Sequence, residues 1–549
     1  MDVRWDAPGP GLWELDRSHF RGGTTPIVQS LMSAAMESGM RRVMRELGTP
    51  ADTIQPRFVN GFCYARLRPL ISPDRVSTKL APLPILRLAT RLHPEMRRRA
   101  RTAERTLAER PWRAVISNWE SDGRRAIEAV NLALQDVPVR ELGDHSLIGH
   151  IEDLIAHCRT NLEHHFWLHG YDLGPIGILL TTCNEWGIAP ADVIPLLEGA
   201  SPSTSAPIEA LERVRVRVEA CGARPSTLEE LRGVSAAVAN DVDTYLRYRG
   251  SLLFSRYDID GVTVGELPDL VLSTIMSSQT RQSSDDVGTR TAAVRQRVLA
   301  EDQAEFDERL AEARAAMNLR DDNGPATSEW PLGLLRLSLL EVGRRLVARG
   351  FAQQPGHVFE LAPDEIDPAV LAGRGPSSAT LADRQQQRQA MALLDPPPTL
   401  GDAGAVVPLS VLPPPMGRLV ATVQMVMQQL GMAGDRTALG AGLRGTGVGS
   451  GSYRGVARSA ASPEEALEHM EPGDVLVVAF TTPAYNVVLS IAGGIVTSEG
   501  GPLSHAAVLA RELGIPAVIG APGALTEIRN GMVIDVDPVA GEVRIVADV

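Results

Sequence analysis

From about residue 84 to residue 250, apolar and charged side chains recur at helical spacing, and Pro or Gly marks the breaks, so this region is predicted to be mainly helical. Ahead of it, an extended lead-in over Trp13-Glu14-Leu15-Asp16 and Ser18-His19-Phe20 runs to Thr25-Pro26-Ile27, and a helix is expected over about 28–46. Residues 58–67 read as a hairpin turning at Asn60-Gly61, a pair suited to positive φ at both central positions. Ser226-x-x-Glu229 has the form of a capping box. A long charged helix is expected over 291–316 and a more apolar one over 332–350. A short strand at 357–361 and a turn at Pro363-x-Glu365 should follow.

The period then changes. Residues 367–415 are rich in Gly, Pro, Ala and Gln, with proline triplets at 396–398 and 413–415, a composition that predicts a semi-stiff linker. A helix over 416–430 carries Met416, Leu419, Val420, Val423, Met427 and Leu430 on one stripe, with Gly431 and Gly434 as pivots beyond it. Past Gly445, short apolar β-branched runs at 474–479, 494–497, 516–519, 532–536 and 542–546 read as strands, and Ser462-Pro463 starts a helix.

The chemistry concentrates in GGIVTSEGGPLSHAAVLARELGIPAVIG, residues 493–520. A buried strand ends at Ser498-Glu499-Gly500-Gly501-Pro502, and a helix starts near Leu503 and stops at Gly514, with Pro516 beyond. His505 then lies in the first helical turn, beside unpaired backbone N–H groups. That place favours a phosphoryl group, and the helix dipole adds about 0.3–1 kcal/mol at an exposed site. Ser504 and Thr497 could hold its oxygens, and Gly500 and Gly501 let the backbone come close.

Thr497-x-Glu499-Gly500-Gly501-x-x-Ser504-His505-Ala506-Ala507, followed by Ala510-Arg511-Glu512-Leu513-Gly514-Ile515-Pro516-Ala517-Val518, resembles the phosphohistidine mobile-domain signature of the phosphoenolpyruvate-utilising enzymes. These include pyruvate phosphate dikinase, phosphoenolpyruvate synthase and rifampicin phosphotransferase. The resemblance implies that His505 is the phosphoryl carrier. Thr481-Thr482-Pro483 stands where the family has Thr-Asp-Pro, so Thr482 replaces a carboxylate.

In those dikinases an ATP-grasp domain charges the histidine, giving AMP and phosphate. Here no Gly-x-x-x-x-Gly-Lys loop occurs, Lys79 is the sole lysine, and too little chain follows His505 for a TIM barrel. The order matches rifampicin phosphotransferase without its ATP-grasp part, and also resembles phenylphosphate synthase, whose functions are split between subunits. The resemblance therefore implies a multidomain chain: a large mainly α-helical acceptor domain (1–395), a Pro/Gly-rich linker with a swivel helix (396–440), and a small α/β swivelling phosphohistidine domain (441–549). It also implies ATP, with Mg2+, on a partner ATP-grasp subunit.

Six of the eleven histidines lie between His145 and His169. His150, His157 and His164 fall on one helix face, about 10 Å apart per step, too far for adjacent pairs to share one metal. Two readings stay open: a site for a small organic acceptor using His157, His164, His165, Trp167 and Arg256, with one imidazole as base, or satisfied core histidines. No metal site is expected. A histidine-cluster metalloenzyme and a non-catalytic phosphocarrier or ligand sensor are the alternatives.

The net charge of −13 argues against a nucleic-acid partner. Arg97-Arg98-Arg99-x-Arg101 is interspersed with glutamates and reads as a solvated face. Four scattered cysteines, no leader pattern and no apolar run of about 18 residues predict a cytoplasmic protein without a membrane partner.

Overall fold

The computed structural model describes residues 3–16, 19–20, 22–254, 256–277, 287–432, 443–449, 451–481 and 485–547. Ser18, Gly434, Thr482 and Pro483, named above, lie outside the described residues. Two compact units form, each from three separate stretches of chain. One comprises Met1–Tyr171, Ser251–Val262 and Asn323–Ala421; the other comprises Asp172–Gly250, Thr263–Asp322 and Thr422–Val549. The sequence reading set three consecutive segments instead.

In the first unit, strands β1 (Trp13–Leu15), β2 (Ala51–Val59), β3 (Phe62–Pro69) and β4 (Thr399–Leu400) form a sheet in the order β2-β3-β1-β4. Its hairpin turns at Asn60 (φ 52°) and Gly61 (φ 80°), the left-handed pair that Asn-Gly supplies. The helix Pro26–Leu47 has Thr25 at its N-cap and Gly48 in the left-handed region past its end. It buries Ile27, Val28, Leu31, Met32, Ala35 and Val43. A Cβ at Gly39 would lie 2.3 Å from Glu163 O, and one at Gly170 2.2 Å from Val43. Two absent side chains thus let this helix meet the helix Asp144–Glu185 at close range.

In the second unit, β5 (Thr446–Val448), β6 (Tyr453–Ser459), β7 (Val475–Val478), β8 (Gly494–Thr497), β9 (Ala517–Ile519), β10 (Val533–Asp537) and β11 (Glu542–Ala547) form one sheet, ordered β11-β10-β6-β7-β8-β9-β5. The run β6-β7-β8-β9 is parallel. Parallel strands are covered on both faces, which is why 475–478 and 494–497 are continuous apolar runs without alternation. Leu476, Val478, Ile495 and Ile519 pack one face, and Val475, Val477, Val496 and Val518 the other. The large helical part with β-sheet toward the C-terminus was expected, and each strand foreseen past Gly445 is present within a residue or two.

Four local expectations fail or shift. Residues 357–361 are not a strand; Pro355–Glu360 form a 3-10 turn opened by its proline. The charged run is broken: Val287–Arg295 is one helix and Gln303–Gly324 another, with buried Val298 between and no Gly or Pro to announce the break. The stretch read as linker contains the helix Ser378–Ala392, capped by Ser377. Its Ala and Gln residues are good helix formers, and Arg384 and Arg388 tie it to Glu365 and Glu360. The capping box near 226 also shifts by one: Thr227 accepts from Glu230 N–H, and Ser226 N–H donates to the Glu230 carboxylate.

Candidate phosphoryl-carrier site

The turn after β8 is built to bring backbones together. Gly500 sits at φ +104°. A Cβ at Gly501 would lie 2.4 Å from Gln429 O and 2.9 Å from Gly431 N, while Leu503 N–H donates to Gln429 O at 2.9 Å. The glycine pair therefore seats this loop against the backbone of 429–431. Thr497 is fully buried, and its hydroxyl donates to Glu499 O (2.7 Å) and accepts from Gly520 N–H (3.2 Å). It braces the turn.

Ser504 is the N-cap of the helix His505–Glu512, but its hydroxyl makes no cap bond, and its buried Oγ has no hydrogen-bond partner among the described residues. Such an orphan calls for an explanation, because an unmet buried polar atom costs about 1–3 kcal/mol. Beside it, Arg320 donates from Nη2 to Leu503 O at 2.6 Å, and its buried Nη1 is likewise without a partner. A donor hydroxyl and a guanidinium N–H thus stand unused at one helix start.

His505 Nδ1 meets Thr481 Oγ1 at 2.8 Å, and no hydrogen bond to Nε2 occurs among the described residues. With the proton on Nδ1, donated to Thr481, the lone pair of the ring lies on Nε2. Burial, and secondly the positive charge of Arg320, hold the imidazole pKa down at about 3. The ring is therefore neutral at physiological pH, the form that can attack phosphorus. Once phosphorylated, it would present oxygens to the same two donors and to the helix N-terminus.

Of these parts, sequence singled out His505, Ser504 and the glycines, and placed Thr481 in a motif. It missed Arg320, which sits mid-helix in Asn318-Leu319-Arg320-Asp321 with no signal to separate it from ion-pairing arginines.

The residues grouped as an acceptor site do not assemble into one place. His157 Nε2 lies 2.7 Å from Asn131 Oδ1, and Asn161 bonds back to it, so it reads as satisfied core. His164 stacks on Trp167 (5.1 Å) and Trp119 (6.5 Å), and the three line a cavity of about 290 Å3 with Ala114, Val115, Asn118 and Leu168. His165 meets Thr327 Oγ1 through Nδ1 (3.1 Å) and His169 through Nε2 (3.2 Å). Burial, then His169 and His19, push its pKa far down. Arg256 donates to Gly22 O at 3.1 Å and pairs with Asp260 at 3.3 Å. No cluster of three or more metal-ligating side chains occurs among the described residues. None of their helices is long and apolar enough to cross a membrane.

Residues 470–541 match the family described as "PEP-utilising enzyme, mobile domain". The chain is 44% identical over 101 residues to a phosphoenolpyruvate synthase of Aeropyrum pernix, covering 18% of this chain and 12% of that protein. It is 28% identical to an uncharacterised phosphotransferase of Bacillus subtilis, over 48% of this chain and 28% of the other. It is 25% identical to the chondramide synthase of Chondromyces crocatus, over 99% of this chain but 14% of that protein. The chain thus spans only a minor part, 28% or less, of the length of these relatives.

Proposed function

We propose, from the premise that residues 470–541 are a mobile domain of the phosphoenolpyruvate-utilising enzymes, that the chain is a phosphotransferase subunit with a phosphohistidine intermediate on His505. A separate cytoplasmic ATP-grasp subunit, holding ATP and Mg2+, charges Nε2. Residues 441–549 carry the group by swivelling about 396–440, and an organic acceptor bound by the helical part receives it. Alignment of nearly the whole chain to a small part of a large synthase supports reading it as a module that works with other catalytic parts.

The carrying observation is the pair of unused donors, Ser504 Oγ and Arg320 Nη1, at the start of the helix that bears a neutral histidine. In charging, the Nε2 lone pair forms the N–P bond, and the bond from phosphorus to the donor's leaving oxygen breaks, its electron pair staying on that oxygen. Thr481 fixes the Nδ1 proton, and Arg320, Ser504 and the first-turn N–H groups take up the phosphoryl oxygens; such positioned charge does most of the work in phosphoryl transfer.

Potassium phosphoramidate, which phosphorylates imidazoles without a protein donor, tests this in the isolated chain. One acid-labile phosphoryl group is expected in the wild type and none in His505→Ala. A His505→Ala chain that still takes up one equivalent excludes the carrier role, and a wild type that takes up none favours a ligand sensor.

A further inference from the structure

The cleft walled by Trp119, His164 and Trp167 lies wholly in the first unit and is built from two helix faces. His164, Trp167 and Leu168 come from the helix Asp144–Glu185 at i, i+3 and i+4, and Val115, Asn118 and Trp119 repeat that spacing on the other side. There the helix Trp112–Asn118 widens into a π-helical turn, Trp119–Gly123, before continuing as Arg124–Gln135. Such single wide turns recur at functional sites, and Trp119 is the residue on which this one begins. The lining grades from covered to open: Trp119 and Leu168 are buried, His164 and Trp167 half-buried, Ala114 and Asn118 exposed. The cavity of about 290 Å3 therefore has a floor and a mouth.

Its walls are flat, and one of them is fixed in advance. The His164 ring plane makes 25° with that of Trp167 and 29° with that of Trp119. Trp167 Nε1–H donates to Glu46 at 2.6 Å, and the Arg42 guanidinium lies over the Trp167 ring at 4.3 Å. Glu46 is itself held by Arg42 (3.0 Å) and by the Tyr171 hydroxyl (2.9 Å). A wall locked by its own supports is what a preformed site needs. Trp119 is the opposite case. It is 2% exposed, yet its Nε1–H has no hydrogen-bond partner among the described residues. An indole nitrogen only donates, so the missing group is an acceptor, and a buried donor left unmet calls for one.

The chemistry of the cleft narrows its occupant. No carboxylate, lysine or arginine is among its lining residues. Burial, and secondly the charge of Arg42, lower the His164 pKa from its usual 6.5, so that ring is neutral at physiological pH. Charged molecules find no counterion on these walls, whereas a flat ring can stack on them. The volume is at the lower end of the roughly 300–1,000 Å3 usual for ligand clefts, which suits one or two rings. We propose that this cleft is a binding site for a small neutral heteroaromatic molecule, whose ring nitrogen or carbonyl oxygen accepts from Trp119 Nε1–H. The site goes beyond the carrier reading of His505 and stands whether or not that histidine is charged.

Quinoline is the probe: two fused rings, neutral at physiological pH, with one acceptor nitrogen. Naphthalene has the same shape and no acceptor. In the full chain labelled with 15N at the indole nitrogens, Trp119→Phe identifies the Trp119 signal as the one it removes from the seven tryptophans. Quinoline should move that signal downfield and saturably, and naphthalene should not. Trp119→Phe keeps an aromatic wall and loses the donor. The quinoline Kd, read from the ligand's own signals by saturation transfer, should rise about tenfold in it, the upper worth of one net hydrogen bond. Ala114→Phe, at the exposed mouth, should abolish binding while the indole signals outside the cleft keep their positions. A Trp119 signal that quinoline leaves unmoved overturns the assignment, as does quinoline binding that is equal in wild type and in both variants.

Discussion

Arg320→Met should slow the phosphorylation of His505 about 10²–10³-fold, the loss typical of removing one positioned donor to a developing anion. Arg320 supplies the buried, unused Nη1 and anchors Leu503 O through Nη2, so its removal takes away both a phosphate partner and a brace for the helix start. A second consequence has a definite sign. Arg320 is one of two causes holding the His505 pKa near 3, the larger being burial. Without that positive charge, protonation of the ring becomes easier and the midpoint must rise, but burial keeps it below the ordinary 6.5. Histidine-selective 13C NMR reads this directly: wild-type His505 should not titrate between pH 5 and 8, and the Arg320→Met midpoint should be higher than the wild type's. Arg320→Lys separates the effects, because it keeps charge while losing the guanidinium fork. Unchanged charging together with an unchanged midpoint would show that Arg320 plays no part.

Gly501→Ala carries the next largest effect. The added methyl would meet the Gln429 carbonyl at 2.4 Å and Gly431 N at 2.9 Å, both backbone atoms that cannot rotate away. Relief requires the loop and the 429–431 backbone to part, weakening the Leu503 N–H to Gln429 O bond. Overpacking of this kind costs about 1–3 kcal/mol. Denaturant unfolding should show that loss, and phosphoramidate charging should fall with it, because the same loop places Ser504 and His505. Gly149→Ala is the control: it lies in a helix with nothing within 4 Å of the added Cβ and should be neutral or slightly stabilising. If Gly501→Ala matches wild type in both readouts, the close approach of the two backbones does not govern the site.

Much of this was legible in sequence for reasons that can be named. The strands past Gly445 announce themselves because a parallel sheet buries both faces and so writes continuous apolar runs. Gly514, in the left-handed region at φ 62°, and Pro516 stop the His505 helix where they were expected to. Asn60-Gly61 fixes its hairpin by turn chemistry alone. What failed depended on long-range partners. Nothing local distinguishes Arg320 from the helix-surface arginines around it; only the fold brings it to Leu503. His150, His157 and His164 share one helix face by spacing, but His157 turns to Asn131 and His164 to two tryptophans, since neighbours rather than spacing decide where each ring goes. Composition misled at 378–392, where flanking prolines and glycines masked a helix whose own residues favour one. The glycines of the signature were expected to let the backbone come close, and Gly501 does so against the backbone of 429–431.

The most direct measurement is to locate the phosphoryl group on the charged full-length chain, by tandem mass spectrometry for the residue and 31P NMR for the nitrogen. A single group on Nε2 of His505, with Nδ1 left to Thr481, is the expected result. A group on Nδ1, or on any of the other ten histidines while His505 stays bare, contradicts it.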